Sequence, residues 1–356
     1  MINVTKTFLP SLEEYQTYLE KIWKNAWLTN RGEFVKELEE KLCTYLEVPN
    51  LLFVNNGTIA LQIAIKALDL KGEIITTPFS YVATTSSIVW EGCEPVFVDI
   101  DTNTLCIDAD LIESAITEKT TGILATHVYG IPCDVEKIEK IAKKHNLKVI
   151  YDAAHCFGVN YKGQSLLNYG DISTLSFHAT KLFHTGEGGG IVVNNQELFH
   201  KVFYMHNFGH NGPEDFFGVG INGKSSEIHA ALGLCVLPNM EEIIAKRKEI
   251  SLLYDDILLK NFSLKRPQIP SETEYNYPYY AILFESEKKL EEVQKRLNDN
   301  DIFPRRYFYP SLNTLNYTNS FSCPVSEGIS TRVLCLPLYY DLQLSDVEKI
   351  GKLIIL

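Results

Sequence analysis

A chain of 356 residues, 45% hydrophobic and 22% charged, has the composition of an ordinary folded protein, which excludes disordered and fibrous classes. A formal charge of −12 and a pI near 5.3 argue against duplex nucleic acid or an anionic membrane as the main partner, because both need a concentrated positive surface. The length exceeds what one hydrophobic core usually supports, so a large domain over 1–237 and a smaller one over 238–356 are expected.

The first residues, MINVTKTFLPSLEEY, show no apolar stretch behind a basic end, and no later segment approaches the roughly 20 apolar residues that span a bilayer. The expectation is a cytoplasmic protein with no membrane partner. Eight cysteines lie far apart, without a CxxC pair or zinc-finger spacing, and read as reduced thiols of the core.

The first strand expected is LLFVNN at 51–56, followed by a helix over Thr58 to Leu68. NNGT at 55–58 sits at that strand-to-helix turn. The free amides of a helix start, the positive end of its dipole, the Thr58 hydroxyl and the small Gly57 could together hold a phosphate, although the same residues also suit a plain helix cap. Further strands are expected at 73–78, 95–100, 122–128 and 148–153, with a helix over Val135 to His145. Helices between buried strands imply βα units in a mostly parallel sheet.

YDAAHCFG at 151–158 puts Asp152 at the carboxyl end of an apolar strand, the edge where sites of open α/β sheets collect. Asp152 could bind a metal, cap a helix or pair with a protonated ring nitrogen, and the small Ala153 and Ala154 leave room for a flat ring. Two more strands are expected at 173–179 and 190–194. Between them, SFHATKLFHTGEGGG brings Lys181 just past a strand and ahead of a glycine-rich turn. A lysine there points into a site, and an amine that forms a Schiff base must first lose its proton, which a desolvated pocket promotes. Ser176, His178 and Thr180 add groups suited to phosphate or carbonyl oxygens. GEGGG at 186–190 precedes a strand rather than opening a helix, so it is not a dinucleotide fingerprint.

His206 and His210 have metal-like spacing, but Gly209 weakens the helix and a third ligand is lacking, so no metal is expected. From Pro238 a long charged amphipathic helix follows, then a Pro-, Ser-, Thr- and Glu-rich surface loop at 267–278 and a strand at 279–285. RRYFYPSL at 305–312 could contact a sugar or a diphosphate through Arg305, Arg306 or Tyr309, or could simply pack the smaller domain.

At these residues the sequence resembles the DegT/StrS-type sugar aminotransferases, a branch of the aspartate-aminotransferase-like, fold type I pyridoxal-phosphate enzymes. The resemblance covers nearly the whole chain, through WLTNRG at 27–32, NNGTIAL at 55–61, TTPFSYVATTSS at 76–87, GCEPVFVDID at 92–101, HVYGIPCDVEKI at 127–138, DAAHCFG at 152–158, SFHATKLFHTGEGG at 176–189 and GINGKSSEIHAALG at 220–233. It implies an α/β fold with a mostly parallel seven-stranded sheet flanked by helices and a smaller α+β C-terminal domain. Lys181 would bind pyridoxal 5'-phosphate covalently, and Asp152 would keep the ring nitrogen protonated. Gly57, Thr58 and Ser176 would hold the phosphate, Tyr81 would stack on one face of the ring with Ala154 on the other, and His155 would lie near the ring hydroxyl. Asn222 would reach the phosphate of the neighbouring subunit, which makes a homodimer part of the expected site.

The resemblance also implies the reaction. L-Glutamate would donate an amino group to give the pyridoxamine 5'-phosphate form, which would aminate a dTDP- or UDP-linked 4-keto-6-deoxyhexose for surface-polysaccharide or O-antigen synthesis. Similar DAAH segments occur in a subgroup acting on dTDP-linked sugars, which favours dTDP and carbon 4. Amination at carbon 3, a sugar dehydratase and a cofactor-binding sensor remain alternatives. Relatives with histidine in place of Lys181 are dehydratases, so the lysine favours transfer. Arg31-Gly32 stands where Gly-Pro is common, and no substrate contact is assigned to Arg31.

Overall fold

The computed structural model describes residues 1–260, 264–319 and 321–356. Its centre is a seven-stranded sheet of β1 (Leu51–Val54), β2 (Glu73–Thr76), β3 (Glu94–Phe97), β4 (Thr120–Thr126), β5 (Lys148–Asp152), β6 (Ile172–Ser176) and β7 (Gly189–Val193), in the spatial order β1-β7-β6-β5-β4-β2-β3. All neighbours are parallel except β7, which runs antiparallel between β1 and β6. The expected mostly parallel sheet is therefore present.

The continuous apolar runs follow from burial on both faces. Leu51 and Phe53 belong to the core on one face, with Leu38 and Leu42 of α1 (Glu33–Leu46) and Ile138 of α3 (Val135–His145). Leu52 and Val54 belong to the other, with Ala60, Leu61 and Ala64 of α2 (Gly57–Ala67). Asp134 caps α3 by accepting from the Lys137 amide, and the lysines of its last turn suit the negative end of the dipole.

All seven expected strands run past the observed C-terminal ends by one to three residues, as with 51–56 against Leu51–Val54. Those last residues leave the ladder to build the loops above the sheet. A larger correction concerns the stretch at 267–278. Thr273–Glu274 pairs antiparallel with Asn160–Tyr161, and the buried Asn276 side chain donates to the carbonyls of His155 and Phe157 at 2.9 Å each. The stretch is thus a tie onto the site rather than a plain surface loop.

Beyond it, β8 (Tyr280–Leu283) pairs antiparallel with β9 (Val333–Leu336). These strands share a separate apolar cluster with Ile250, Tyr254 and Leu258 of α5 (Met240–Leu258). Met240 and Ile243, at the other end of α5, belong to the first core, so this helix joins the two. The helical run Glu227–Leu258, which begins with α4 (Glu227–Val236), is long and apolar enough to cross a membrane, with a mean hydropathy of 1.3 over its best window. The expectation that no segment approached that length and composition is corrected here. Half of that window is buried inside the protein, and the run opens with a buried Glu227 that accepts from the Phe34 and Val35 amides.

The glycine-rich turn has a packing reason. β7 starts where β1 and β6 end, and a Cβ at Gly189 would lie 2.5 Å from the backbone carbonyl of Asn56. Gly189→Ala should cost about 1–3 kcal/mol as an overpacking change. Urea unfolding of the variant checks this, and an unchanged midpoint would mean that the strand can shift freely.

Candidate active site

Three chain segments meet at one edge of the sheet. β5 ends on Asp152, β6 ends on Ser176, and β1 leads into the Asn55–Gly57 turn, with β7 wedged between the last two. Gly57 comes so close to β6 that a Cβ would sit 3.0 Å from the Ser176 Cβ. Asn56 caps α2, its Oδ1 accepting from the Ile59 amide at 2.8 Å, which leaves the amides of Gly57 and Thr58 at the helix start without an intrahelical acceptor.

A cavity of about 280 Å³ opens above this edge. It is lined by the predicted residues Gly57, Thr58, Tyr81, Asp152, Ala154, Ser176, His178, Thr180, Lys181 and Arg305, together with Glu187, Tyr279, Tyr307 and Phe308. Tyr81 caps the helix Val82–Trp90 and is 55% exposed, so its ring is free to face a partner. His155 lies in a narrow neighbouring recess that also borders Ala154, Ser176 and Lys181. Asn222 is exposed and does not line this cavity; its backbone bridges Asn207.

Asp152 is buried and held from two sides. Thr84 Oγ1 donates to Oδ2 at 2.7 Å and the Ala154 amide donates to Oδ1 at 3.2 Å. Ser80 Oγ extends the hydroxyl chain to Thr84 at 2.7 Å and Thr126 at 3.0 Å. Burial raises the carboxyl above its ordinary value, while Thr84, Ala154 and the Lys181 charge oppose that rise. Burial also lowers the Lys181 amine, with Asp152 pulling the other way. Each group is thus pushed toward neutrality by desolvation. Near neutral pH this favours an amine able to shed its proton.

The His155 ring packs between Phe308, stacked at 5.8 Å, and Tyr279, edge-on at 4.9 Å. Its Nδ1 accepts from the Tyr129 amide at 3.2 Å, and burial first, then Lys181, lowers its pKa. A neutral ring whose Nδ1 accepts carries its proton on Nε2, which is then a donor.

Residues 305–312 divide. Arg305, Tyr307 and Phe308 line the cavity, whereas Arg306 pairs with Glu287 at 2.7 Å and lies over the exposed Tyr309 ring. Arg31 pairs with the buried Glu39 at 2.7 Å, and Glu39 also accepts from the Phe53 amide. Burial pushes Glu39 up to about 7 despite Arg31. His206 follows the last residue of the helix Gln196–Met205, so His206 and His210 do not share a helical face. No group of three or more His, Cys, Asp or Glu gathers as a metal site would among the described residues.

Sequence reasoning missed Thr84, Ser80, Tyr279 and Phe308. The run of hydroxyls in TTPFSYVATTSS was the available signal for the first two.

The model of the DegT/DnrJ/EryC1/StrS aminotransferase family matches residues 11–354. The chain belongs to this family. A dTDP-4-amino-4,6-dideoxy-D-glucose transaminase of Shigella dysenteriae is 46% identical over 356 residues, covering 98% of this chain and 97% of that protein. A transaminase of the same name from Escherichia coli is 42% identical, covering 99% and 98%. Among solved structures, DesI, crystallised in the presence of its TDP-sugar product, superimposes with a TM-score of 0.94 at 28% identity, covering 99% of this chain and 92% of that one. The protein is a pyridoxal-phosphate-dependent aminotransferase.

The residues present fit that cofactor. The cavity offers helix-start amides, the Gly57 approach and hydroxyls suited to a phosphate, and also a buried carboxylate fixed by two donors. Lys181 would supply the amine, and a flat ring would have Tyr81 and Ala154 available as walls.

Proposed function

We propose that the enzyme transfers the amino group of L-glutamate to carbon 4 of a dTDP-linked 4-keto-6-deoxyglucose, giving the 4-amino-4,6-dideoxy sugar for surface-polysaccharide or O-antigen synthesis. The observation that carries the sugar is the Shigella relative at 46% identity, matched over 98% of this chain. The observation that favours transfer over elimination is an amine, Lys181, lining one cavity with Asp152.

On this reading Gly57, Thr58 and Ser176 bind the phosphate through helix-start amides and hydroxyls. When bound, the cofactor supplies an electron sink for the carbon that loses or gains a proton. Asp152 holds a proton on the ring nitrogen, and the hydroxyl chain of Thr84 and Ser80 keeps its carboxylate aimed. Lys181 holds the cofactor at rest and, once released, moves the proton at the reacting carbon, first as base and then as acid. His155 donates from Nε2 toward the ring hydroxyl, a direction set by the Tyr129 amide at its other nitrogen. Tyr81 and Ala154 confine the ring.

The same reading makes the enzyme a homodimer in which Asn222 reaches the partner's site. It is supported by exposed apolar side chains, with Trp27 57%, Phe216 58%, Phe217 59% and Val219 87% accessible, the last three just ahead of Asn222. It divides the chain at residues 237 and 238, a division supported by the second apolar cluster. It puts the enzyme in the cytoplasm, in keeping with eight free cysteines, seven of them buried.

The test is incubation of the purified protein with L-glutamate and a panel of dTDP-, UDP- and GDP-linked keto sugars, followed by proton NMR of the product. An amine at carbon 4 of the dTDP sugar, formed one-for-one with 2-oxoglutarate, is the expected result. An amine at carbon 3, or sugar consumed without matching loss of glutamate's amino group, would replace this reading with one of its alternatives.

A further inference from the structure

The chain has seven arginines, and all seven lie among the described residues. Arg31, Arg266 and Arg306 pair with carboxylates, and Arg247, Arg296 and Arg332 donate to backbone carbonyls. The guanidinium of Arg305 differs: among the described residues it has no hydrogen-bonded acceptor, and it lies 4.9 Å from the Tyr307 ring centroid. It lines the same cavity as Lys181 and Asp152.

Its position is fixed although its head group is not engaged. The Arg305 amide donates to the Cys335 carbonyl at 3.1 Å, and the Cys335 amide returns a bond to the Arg305 carbonyl at 2.8 Å. This bridge hangs the residue on the edge of β9, beside the apolar cluster, so its stem does not swing with a loose loop. Burial raises the Tyr307 hydroxyl, and the charges of Arg305 and Lys181 both act against that rise, so one tyrosine stands within reach of both cations. A guanidinium stacked on an aromatic face keeps its fork of donors free and planar, the arrangement that suits a carboxylate held by two parallel hydrogen bonds.

Two anions could reach it. One is the carboxylate of the amino donor; the other is the diphosphate of the sugar nucleotide. The donor's α-carboxylate is attached to the carbon that carries the reacting nitrogen, so its binder must share a cavity with Lys181. The diphosphate hangs from carbon 1, across the sugar ring from the carbon to be aminated, and lies farther from that amine. The cofactor phosphate has its own receptor in the start of α2. We propose that Arg305 binds the α-carboxylate of the amino donor and thereby orients the donor's amino group toward the cofactor held by Lys181. This rests on the aminotransferase reading above and adds a donor-binding residue to it.

The test separates the two half-reactions of the cofactor-loaded enzyme by single-turnover absorbance and compares the wild type with Arg305→Gln and Arg305→Lys. Calorimetric titration with glutarate, an unreactive dicarboxylate, gives a readout that does not depend on turnover. Removing a charge-assisted pair should raise the half-saturating L-glutamate concentration and the glutarate Kd by roughly 10- to 100-fold. The half-reaction with the sugar nucleotide should change by less than about 3-fold, and Arg305→Lys should recover part of the donor affinity. An Arg305→Gln enzyme with normal glutamate and glutarate binding would overturn the proposal, and a loss confined to the sugar nucleotide would assign the residue to the diphosphate. A wild-type enzyme that takes no amino group from L-glutamate would sink the functional reading instead, and glutarate binding would still decide the role of Arg305.

Discussion

Lys181→Ala is expected to lose turnover by at least about 10⁴-fold, because on the proposed function one substitution removes both the covalent anchor and the acid–base group. The fold should survive. Asp152 loses the Lys181 charge but keeps its bonds from Thr84 and Ala154, so no buried hydrogen-bond partner is stranded. The pH dependence of stability gives a second signature. The folded pKa of Lys181 lies below its unfolded value, so its contribution to stability is present above the unfolded pKa and fades as pH falls through the folded one. The alanine variant, which has no amine to charge, should therefore gain on the wild type as pH falls through that folded value. Steady-state rates and urea midpoints across a pH series check both halves. Activity within tenfold of wild type would remove Lys181 from the chemistry, and added ethylamine restoring part of the lost rate would specifically support its role as proton carrier.

The parts of the fold that could be read from sequence are those where the local pattern and the tertiary demand coincide. A strand such as Leu51–Val54, buried on both faces, must be apolar at every position, and such a run is visible without a structure. Its end is not visible in the same way. Asn55 and Asn56 look like a continuation of the strand, but they leave the ladder because β7 enters from the opposite direction and its Gly189 takes the space beside them. The residues at 267–278 misled for a related reason: proline and serine mark the absence of a helix, but they carry no sign that Asn276 will hold the carbonyls behind His155.

The site divides along the same line. That Lys181 and Asp152 line one cavity at the sheet edge was legible because a strand end is a local motif. The neighbours Arg305 and Arg306 were not separable, since which of them faces the cavity depends on the bridge from Arg305 to Cys335, a register set 30 residues away in sequence. Asn222 poses the converse case. It lies on the outside of its own chain's cavity, so its proposed role requires a second copy.

Asp152→Asn should separate activity from stability. Activity is expected to fall by about 10²- to 10³-fold, the scale for removing one preorganised electrostatic partner, since a neutral amide cannot hold a proton on the ring nitrogen as a carboxylate does. Stability of the cofactor-free protein should move the other way. The raised folded pKa means that the stability contributed by Asp152 is complete below the unfolded pKa of about 3.9 and is lost as pH rises through the folded value. At neutral pH the buried carboxylate is thus a liability that only a cation opposite it can offset. Asparagine avoids that cost and can keep the local bonds. Its Oδ1 still accepts from Ala154, and its Nδ2 can donate to Thr84 Oγ1, which then donates to Ser80. The cofactor-free variant should therefore unfold at higher urea than the cofactor-free wild type near neutrality, with the difference shrinking in acid. Loading both proteins with cofactor should narrow or reverse the gap, because only the wild type then gains an ion pair. A variant that is less stable than wild type in the cofactor-free form at neutral pH would show that Thr84 and Ala154 already satisfy the charge, and that Asp152 does not depend on a cationic ring for its place in the fold.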